Sequence, residues 1–221
     1  MASTMTVADA LDIIDSLYVH DDGNKSFTAT AKYHALRMGA QDAYRAVSRY
    51  DPNQLRKSYT VPFVAATVEY ALPLDFLRAE RVKVNPSGST GVSPYTIPLI
   101  SYGEDTNLFD SAYIRARFIG LRLSGSSGSV ILDYIAGPFG DNVTPGNLVL
   151  PTALAQTFTF DDNWVQLACV YAAQKLLGGK GLASEWLMRE SHRLESELSL
   201  TYPSDRDQMN IIGLHPYQSE W

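Results

Sequence analysis

The side chains best suited to chemistry in this chain are four histidines (His20, His34, His192 and His215), one cysteine (Cys169) and a glycine-rich run carrying a lysine, Gly178-Gly179-Lys180-Gly181. A phosphate-binding loop needs its first glycine where this chain has Gln174, and a serine or threonine hydroxyl where it has Gly181. The run also follows a helical pattern instead of a strand, so it reads as a helix break. The histidines are dispersed, with no His-Glu-x-x-His pair to grip a metal from one helix face. His192 and Glu195 share a face three residues apart and read as a solvated pair. Cys169 sits in an apolar stretch, where a thiol packs more readily than it reacts. No Gly-x-Ser-x-Gly elbow is present, and Asn142-Val143-Thr144, with no secretory leader expected, reads as a surface turn. The sequence therefore offers no catalytic, metal-binding or cofactor-binding constellation, and the chain is expected not to be an enzyme.

Composition narrows the alternatives. With 221 residues, 45% hydrophobic and 19% charged, the chain is long enough to bury a substantial core and too apolar to be disordered over most of its length. A net charge of −6 argues against an overall electrostatic clamp on nucleic acid. One cysteine rules out an intramolecular disulfide framework and fits a reducing compartment. The longest apolar stretch, residues 164–177, is interrupted by Gln166 and Gln174 and is shorter than the roughly 20 residues of a spanning helix, so no membrane partner is expected. Thirteen tyrosines favour half-wet surfaces of the kind found at interfaces.

The elements follow from periodicity. Val7, Leu11, Ile14 and Leu17 or Tyr18 recur at helical spacing, with Thr6 and Asp9 placed as a weaker capping box. No lysine or arginine precedes Lys25, so the first 24 residues form an acidic arm. Thr28 is an N-cap for a second helix over residues 29–50, which Asp51-Pro52 ends. From Ser58 the period becomes two: Tyr59, Val61 and Phe63, then Val68, Tyr70 and Leu72, then Val82 and Val84, then Tyr95, Ile97 and Leu99 read as strands. Asn85 to Pro94 reads as an exposed loop. Residues 113–124 and 130–136, joined by Gly125-Ser126-Ser127-Gly128, read as a hairpin with a bulge near Gly120. Residues 137–160, rich in glycine and proline, read as a connection over the outside of the sheet. Asp161, Asp162 and Asn163 can cap a buried helix from Trp164, and a last amphipathic helix runs to about Leu200.

These elements predict an α+β fold: a helical bundle of two N-terminal and two C-terminal helices with a compact antiparallel β insertion and an extended C-terminal arm. The expected organisation is a single domain, 1–204, helical over 1–57 and 161–204 with the β insertion at 58–160, followed by an arm at 205–221. Ile211, Ile212, Leu214, His215, Pro216, Tyr217 and Trp221 make that arm more apolar than disordered tails are, and it either folds back on its own domain or docks on a partner. Arg78, Arg81, Arg115, Arg117 and Arg122 concentrate positive charge in the β region. They are either solvated strand faces or sites of contact with neighbouring subunits or with DNA in a channel.

One stretch, Tyr70-Ala-Leu-Pro-Leu-Asp-Phe-Leu-Arg-Ala-Glu-Arg-Val82, resembles the Tyr-x-Leu-Pro-x-Asp-Phe-x-x-x-x-x-Val segment of the head-to-tail adaptor (connector) proteins of tailed bacteriophages, and the order of elements resembles theirs over most of the chain. In physical terms Pro73 ends a ladder, Asp75 can accept from the following amides, and Phe76 can anchor the turn in a core. The resemblance implies a structural protein of the virion, assembled in the host cytoplasm and located at the head–tail junction. It implies a ring, of twelve copies, between the portal protein and a tail or nozzle protein, with an open channel for DNA in transit and the C-terminal arm gripping the portal. The competing readings are a tail-completion or tail-tube subunit and a glycan-binding attachment module that stacks sugars on its tyrosines.

Overall fold

The computed structural model describes residues 3–21, 26–64, 69–86, 94–103, 110–123, 127–140, 154–181 and 185–202. The fold is mixed α+β. The chain divides into two units: one holds Arg56–Gly137, the other the described residues up to Leu55 and from Pro138 onward.

The helical unit begins with α1 (Val7–Ile13), which widens into a π-helical turn, Ile14–Val19. Its start is a full capping box: the Thr6 amide donates to Asp9 at 2.8 Å and the Asp9 amide donates to Thr6 Oγ1 at 3.2 Å, which satisfies two amides that the first helical turn leaves open. Helix α2 (Ala29–Tyr50) starts where Thr28 accepts from the Ala31 amide and stops at Asp51. A 3-10 turn, Pro52–Leu55, leads out of it. Small residues at Ala35, Gly39, Ala43 and Ala46 line its buried face and let α3 (Asp162–Gly178) approach closely. A Cβ on Gly39 would lie 2.3 Å from the Ala168 carbonyl oxygen, so the contact is set by the absence of a side chain. Asp161 caps α3, accepting from the amides of Asn163 and Trp164. Trp164 is fully buried, with the rings of Tyr50 and Tyr202 near its own. Helix α4 (Glu185–Thr201) contributes Leu187 to a cluster with Val170 and Ala173.

Residues 138–140 and 154–160, the described part of the expected connection, differ from the sequence expectation. The β unit ends at Gly137, and beyond it Phe139, Phe158 and Phe160 are fully buried in the helical unit instead of running over a sheet. Three apolar rings are worth more inside a core than on a solvated connection.

Among the described residues the β unit has eight strands: β1 (Arg56–Val64), β2 (Glu69–Ala71), β3 (Phe76–Pro86), β4 (Tyr95–Ile97), β5 (Leu99–Ile100), β6 (Ser111–Arg115), β7 (Phe118–Arg122) and β8 (Ser127–Ala136). They form two four-stranded sheets, ordered β1-β8-β3-β4 and β2-β7-β6-β5. Phe63, Val82, Val84, Val130, Leu132 and Tyr134 of the first sheet share one core with Ala112, Ile119 and Leu121 of the second, which is the alternation expected of packed sheets.

Two expectations are corrected here. The predicted hairpin between residues 113–124 and 130–136 does not form. Residues 111–122 are themselves a hairpin, with Arg115 opposite Phe118 and Ala116 at the corner in the left-handed region, φ 52°. The change of apolar face that suggested a bulge at Gly120 is this chain reversal, and β8 instead pairs with β1 and β3 in the other sheet. The bulges lie in β3, at Phe76/Arg78 and Ala79/Arg81. The insertion is also not purely antiparallel: β5 runs parallel to β6, with Leu99 opposite Ala112 and Ile100 opposite Tyr113.

Candidate interaction surfaces

Strand register gathers charge on the outer face of the first sheet. Ser58 and Arg81 both lie opposite Asp133, on the two neighbours of β8, so three side chains form one row across three strands. Asp133 accepts from Ser58 at 2.6 Å and from Arg81 Nε at 2.9 Å, with Lys83 Nζ at 3.2 Å. Burial pushes its carboxyl up, but the Ser58 hydroxyl and the Arg81 and Lys83 cations outweigh that and hold it below the usual aspartate value. Arg56 meets Glu80 at 3.2 Å beside this row, and the whole lines an open groove of about 640 Å³. Four cations and two carboxylates line it, but each cation has a carboxylate partner, Arg56 with Glu80, Arg81 and Lys83 sharing Asp133, and Lys57 with Asp75, which makes the groove a charge network and not a bare cationic stripe.

The outer face of the second sheet is different. Tyr113 lies opposite Gly120, which in turn lies opposite Glu69, and a Cβ on Gly120 would stand 2.0 Å from the Tyr113 ring. Tyr113 donates to Glu69 at 3.1 Å; burial and this carboxylate both push its hydroxyl up from the ordinary tyrosine value. Tyr102 packs 5.4 Å from the same ring. The Arg115 guanidinium lies 4.6 Å from the centre of Tyr102 and that of Arg122 5.8 Å from the centre of Tyr113. Tyr102 and Phe118 remain about half exposed.

The five arginines singled out from the sequence thus do not share one site. Arg78 and Arg81 belong to the first sheet, where Arg81 is tied to Asp133 and Arg78 is exposed on β3. Arg115 and Arg122 come together around the two tyrosines, while Arg117 donates to the Leu74 carbonyl at 3.2 Å and braces a turn. Ile211, Ile212, Leu214, His215, Pro216, Tyr217 and Trp221 lie outside the described residues.

The Leu-Pro turn is held by a carboxylate. Asp75 is fully buried and accepts from the Tyr134 hydroxyl at 2.8 Å and from Lys57 Nζ at 2.5 Å. It does not cap the amides that follow it, as the sequence suggested; a buried charge needs a cation and a strong donor, and β1 and β8 supply both. Phe76 packs on the core beside Tyr134.

In the helical unit, buried Lys32 joins Asp15 at 2.7 Å and Asp21 at 3.1 Å. Glu195 accepts from Tyr171 and is not simply a solvated partner of His192. Cys169 is buried and donates to the Ala10 carbonyl at 3.5 Å, and burial pushes its thiol up to about 12, which removes it as a nucleophile near neutral pH. Among the described residues no three His, Cys, Asp or Glu side chains converge as a metal-ligand set, and no helix is long and apolar enough to cross a membrane.

Sequence reasoning missed Asp133, Glu69 and Tyr102. Asp133 carried a signal, since it is the charged residue in the alternating run Val130, Leu132, Tyr134, Ala136, and a strand charge opposite two other strands is a natural network centre. The chain matches no family model and no curated protein.

Proposed function

We propose that this protein is a structural head-to-tail adaptor of a tailed phage, one subunit of a ring seated beneath the portal that joins the head to a tail or nozzle protein and leaves a channel for DNA. The observation that carries this reading is the order of elements around one segment: a β unit inserted between two pairs of helices, in which the Tyr70–Val82 stretch ends a strand, turns at Leu74 and Asp75, and starts the longest strand of the unit. The four helices form a bundle in this reading, and residues 205–221 form the arm that grips the portal. Apolar side chains there, such as Ile211, Ile212 and Trp221, bury area worth roughly 25 cal/mol per Å² before ordering costs. Repetition around the ring then makes the junction effectively permanent. The protein's place is the virion, at the head–tail junction, and the surfaces above serve as contacts between proteins.

The test is electron microscopy of this protein mixed with the portal and tail proteins encoded beside it, with size-exclusion chromatography of the protein alone as control. A ring stacked on the portal is the expected result. Binding to tail protein alone would move the assignment to a tail-completion or tail-tube subunit, and binding to neither would overturn it.

A further inference from the structure

We infer that the open edge of β1 is a docking site for a partner protein, which adds an extended, acidic segment to the first sheet as a further strand beside Ser58 and Thr60. The inference stands on the strand edge alone and does not need the adaptor reading.

Strand β1 stands at the end of the order β1-β8-β3-β4 and pairs on one side only. In an antiparallel ladder alternate residues turn both backbone groups to the same side, so one residue of known direction fixes the rest. Pro62 has no N–H to give β8, and the Val64 amide donates at 2.9 Å to the Tyr70 hydroxyl, which lies 3.4 Å from the Val64 carbonyl oxygen. The even-numbered residues therefore face outward, while Lys57, Tyr59, Val61 and Phe63 bond to β8. Proline and the Tyr70 hydroxyl close the edge at its far end, as strand edges are commonly closed against pairing. At Ser58 and Thr60 it is open: both are exposed, and among the described residues the backbone groups they turn outward have no partner. Donors and acceptors alternating at strand spacing match another extended backbone.

The side chains around the edge specify that segment. Tyr59 lies opposite fully buried Leu132 yet is itself 36% exposed, so the core ends uncovered there and an apolar side chain facing Tyr59 would extend it. On the other face the rows Arg56–Ile135–Arg78, Ser58–Asp133–Arg81 and Thr60–Ile131–Lys83 run across the sheet from the open edge. With Glu80, the partner of Arg56, this face holds four cations and two carboxylates. Arg81 and Lys83 share Asp133, and Arg78 has no carboxylate partner among the described residues, so the pairing leaves a net positive face. That surplus acts through the field of the whole face and needs no free N–H group. It favours carboxylates at the outward positions of an added strand and repels lysines. The occupant is therefore an extended segment in which acidic and apolar residues alternate.

Amide hydrogen exchange of the full chain, read residue by residue by NMR, tests this with the peptide acetyl-Glu-Val-Glu-Val-Glu-Val-Glu-amide as probe. In the chain alone the Ser58 and Thr60 amides are expected to exchange rapidly while those of Tyr59 and Val61 are protected. Saturating peptide is expected to slow Ser58 and Thr60 at least tenfold. Thr60→Pro removes only an outward donor, as Pro62 does already, and is expected to bind the peptide at least tenfold more weakly with an unchanged circular dichroism spectrum. Residues opposite each other share a face, so the peptide's glutamate amides would be the ones turned to β1. N-methylation at the glutamates is expected to abolish binding and N-methylation at the valines to spare it, which repeats the test without altering the protein. The peptide with lysine in place of glutamate is expected to bind at least tenfold more weakly. No binding at about 1 mM peptide, equal binding by the lysine peptide or by Thr60→Pro, or binding that leaves the two amides exchanging rapidly would overturn the inference. Protection that rises with protein concentration alone would assign the edge to a second copy and overturn it as well.

Discussion

The Tyr134 hydroxyl donates to Asp75 at 2.8 Å across 59 residues of sequence, and Lys57 meets the other oxygen of the same carboxylate. The Leu-Pro turn is thereby fastened to β1 and β8 by one buried charge. Asp75→Ala is expected to lower the stability of the folded chain by about 2–3 kcal/mol, since two donors lose a charged acceptor, while Lys57, partly exposed, recovers some hydration. Urea denaturation reads this directly, and a change below about 0.5 kcal/mol would mean that the turn holds itself.

Gly39 predicts a packing cost. Alanine is the better helix former by about 1 kcal/mol, but its Cβ would stand 2.3 Å from the Ala168 carbonyl oxygen and 2.7 Å from the Ala172 nitrogen, and backbone cannot step aside as a side-chain tip can. Gly39→Ala is expected to be net destabilising by about 1–3 kcal/mol, seen as a lower thermal midpoint. A rise in midpoint would show that α2 and α3 have slack between them.

How far the sequence foretold the fold depends on whether a local residue carried the signal. Helix α2 was legible end to end because Thr28 caps it and Asp51-Pro52 stops it, and the Thr6–Asp9 box was legible in the same way. The β6–β7 reversal was hidden: its corner is Ala116-Arg117, without glycine, proline or asparagine, and Ala116 is held at a positive φ by the pairing on either side. Gly120, the only conspicuous residue nearby, serves the Tyr113 ring instead. The arginines were found as a group but not as a site, because register across strands, which no local pattern encodes, decides that Arg81 meets Asp133 while Arg115 meets Tyr102.

Acid stability has a sign that follows from Asp21. Burial pushes its carboxyl up, yet the Ser26 and Phe27 amides and the Lys32 ammonium outweigh that and hold it down at about 2, against the ordinary 3.8. A depressed carboxylate contributes stability that is fully present above its unfolded value and is lost as pH falls through the folded one. The stability difference between the parent and Asp21→Asn is therefore expected to be constant above about pH 4 and to shrink steadily towards pH 2. Guanidinium melts across that range measure it, and a difference independent of pH would exclude the Lys32 cluster as its source.

Removal of residues 205–221 is expected to leave the helical and β cores intact while abolishing binding to portals. Circular dichroism and a portal pull-down give the two readouts. A truncated form still captured by portal would place the grip elsewhere in the chain.

Arg56 and Lys57 at the head of the β unit pair with Ile135 and Tyr134 at its tail, so the chain enters and leaves that unit at neighbouring points. For the helical sequence on either side, everything between amounts to a gap one strand spacing wide. Closing a gap that small costs the same conformational entropy whatever is folded inside it, and the unit is in that sense a cassette: its faces can be rewritten, or the whole exchanged, with the helices left to fold around the same two fixed ends.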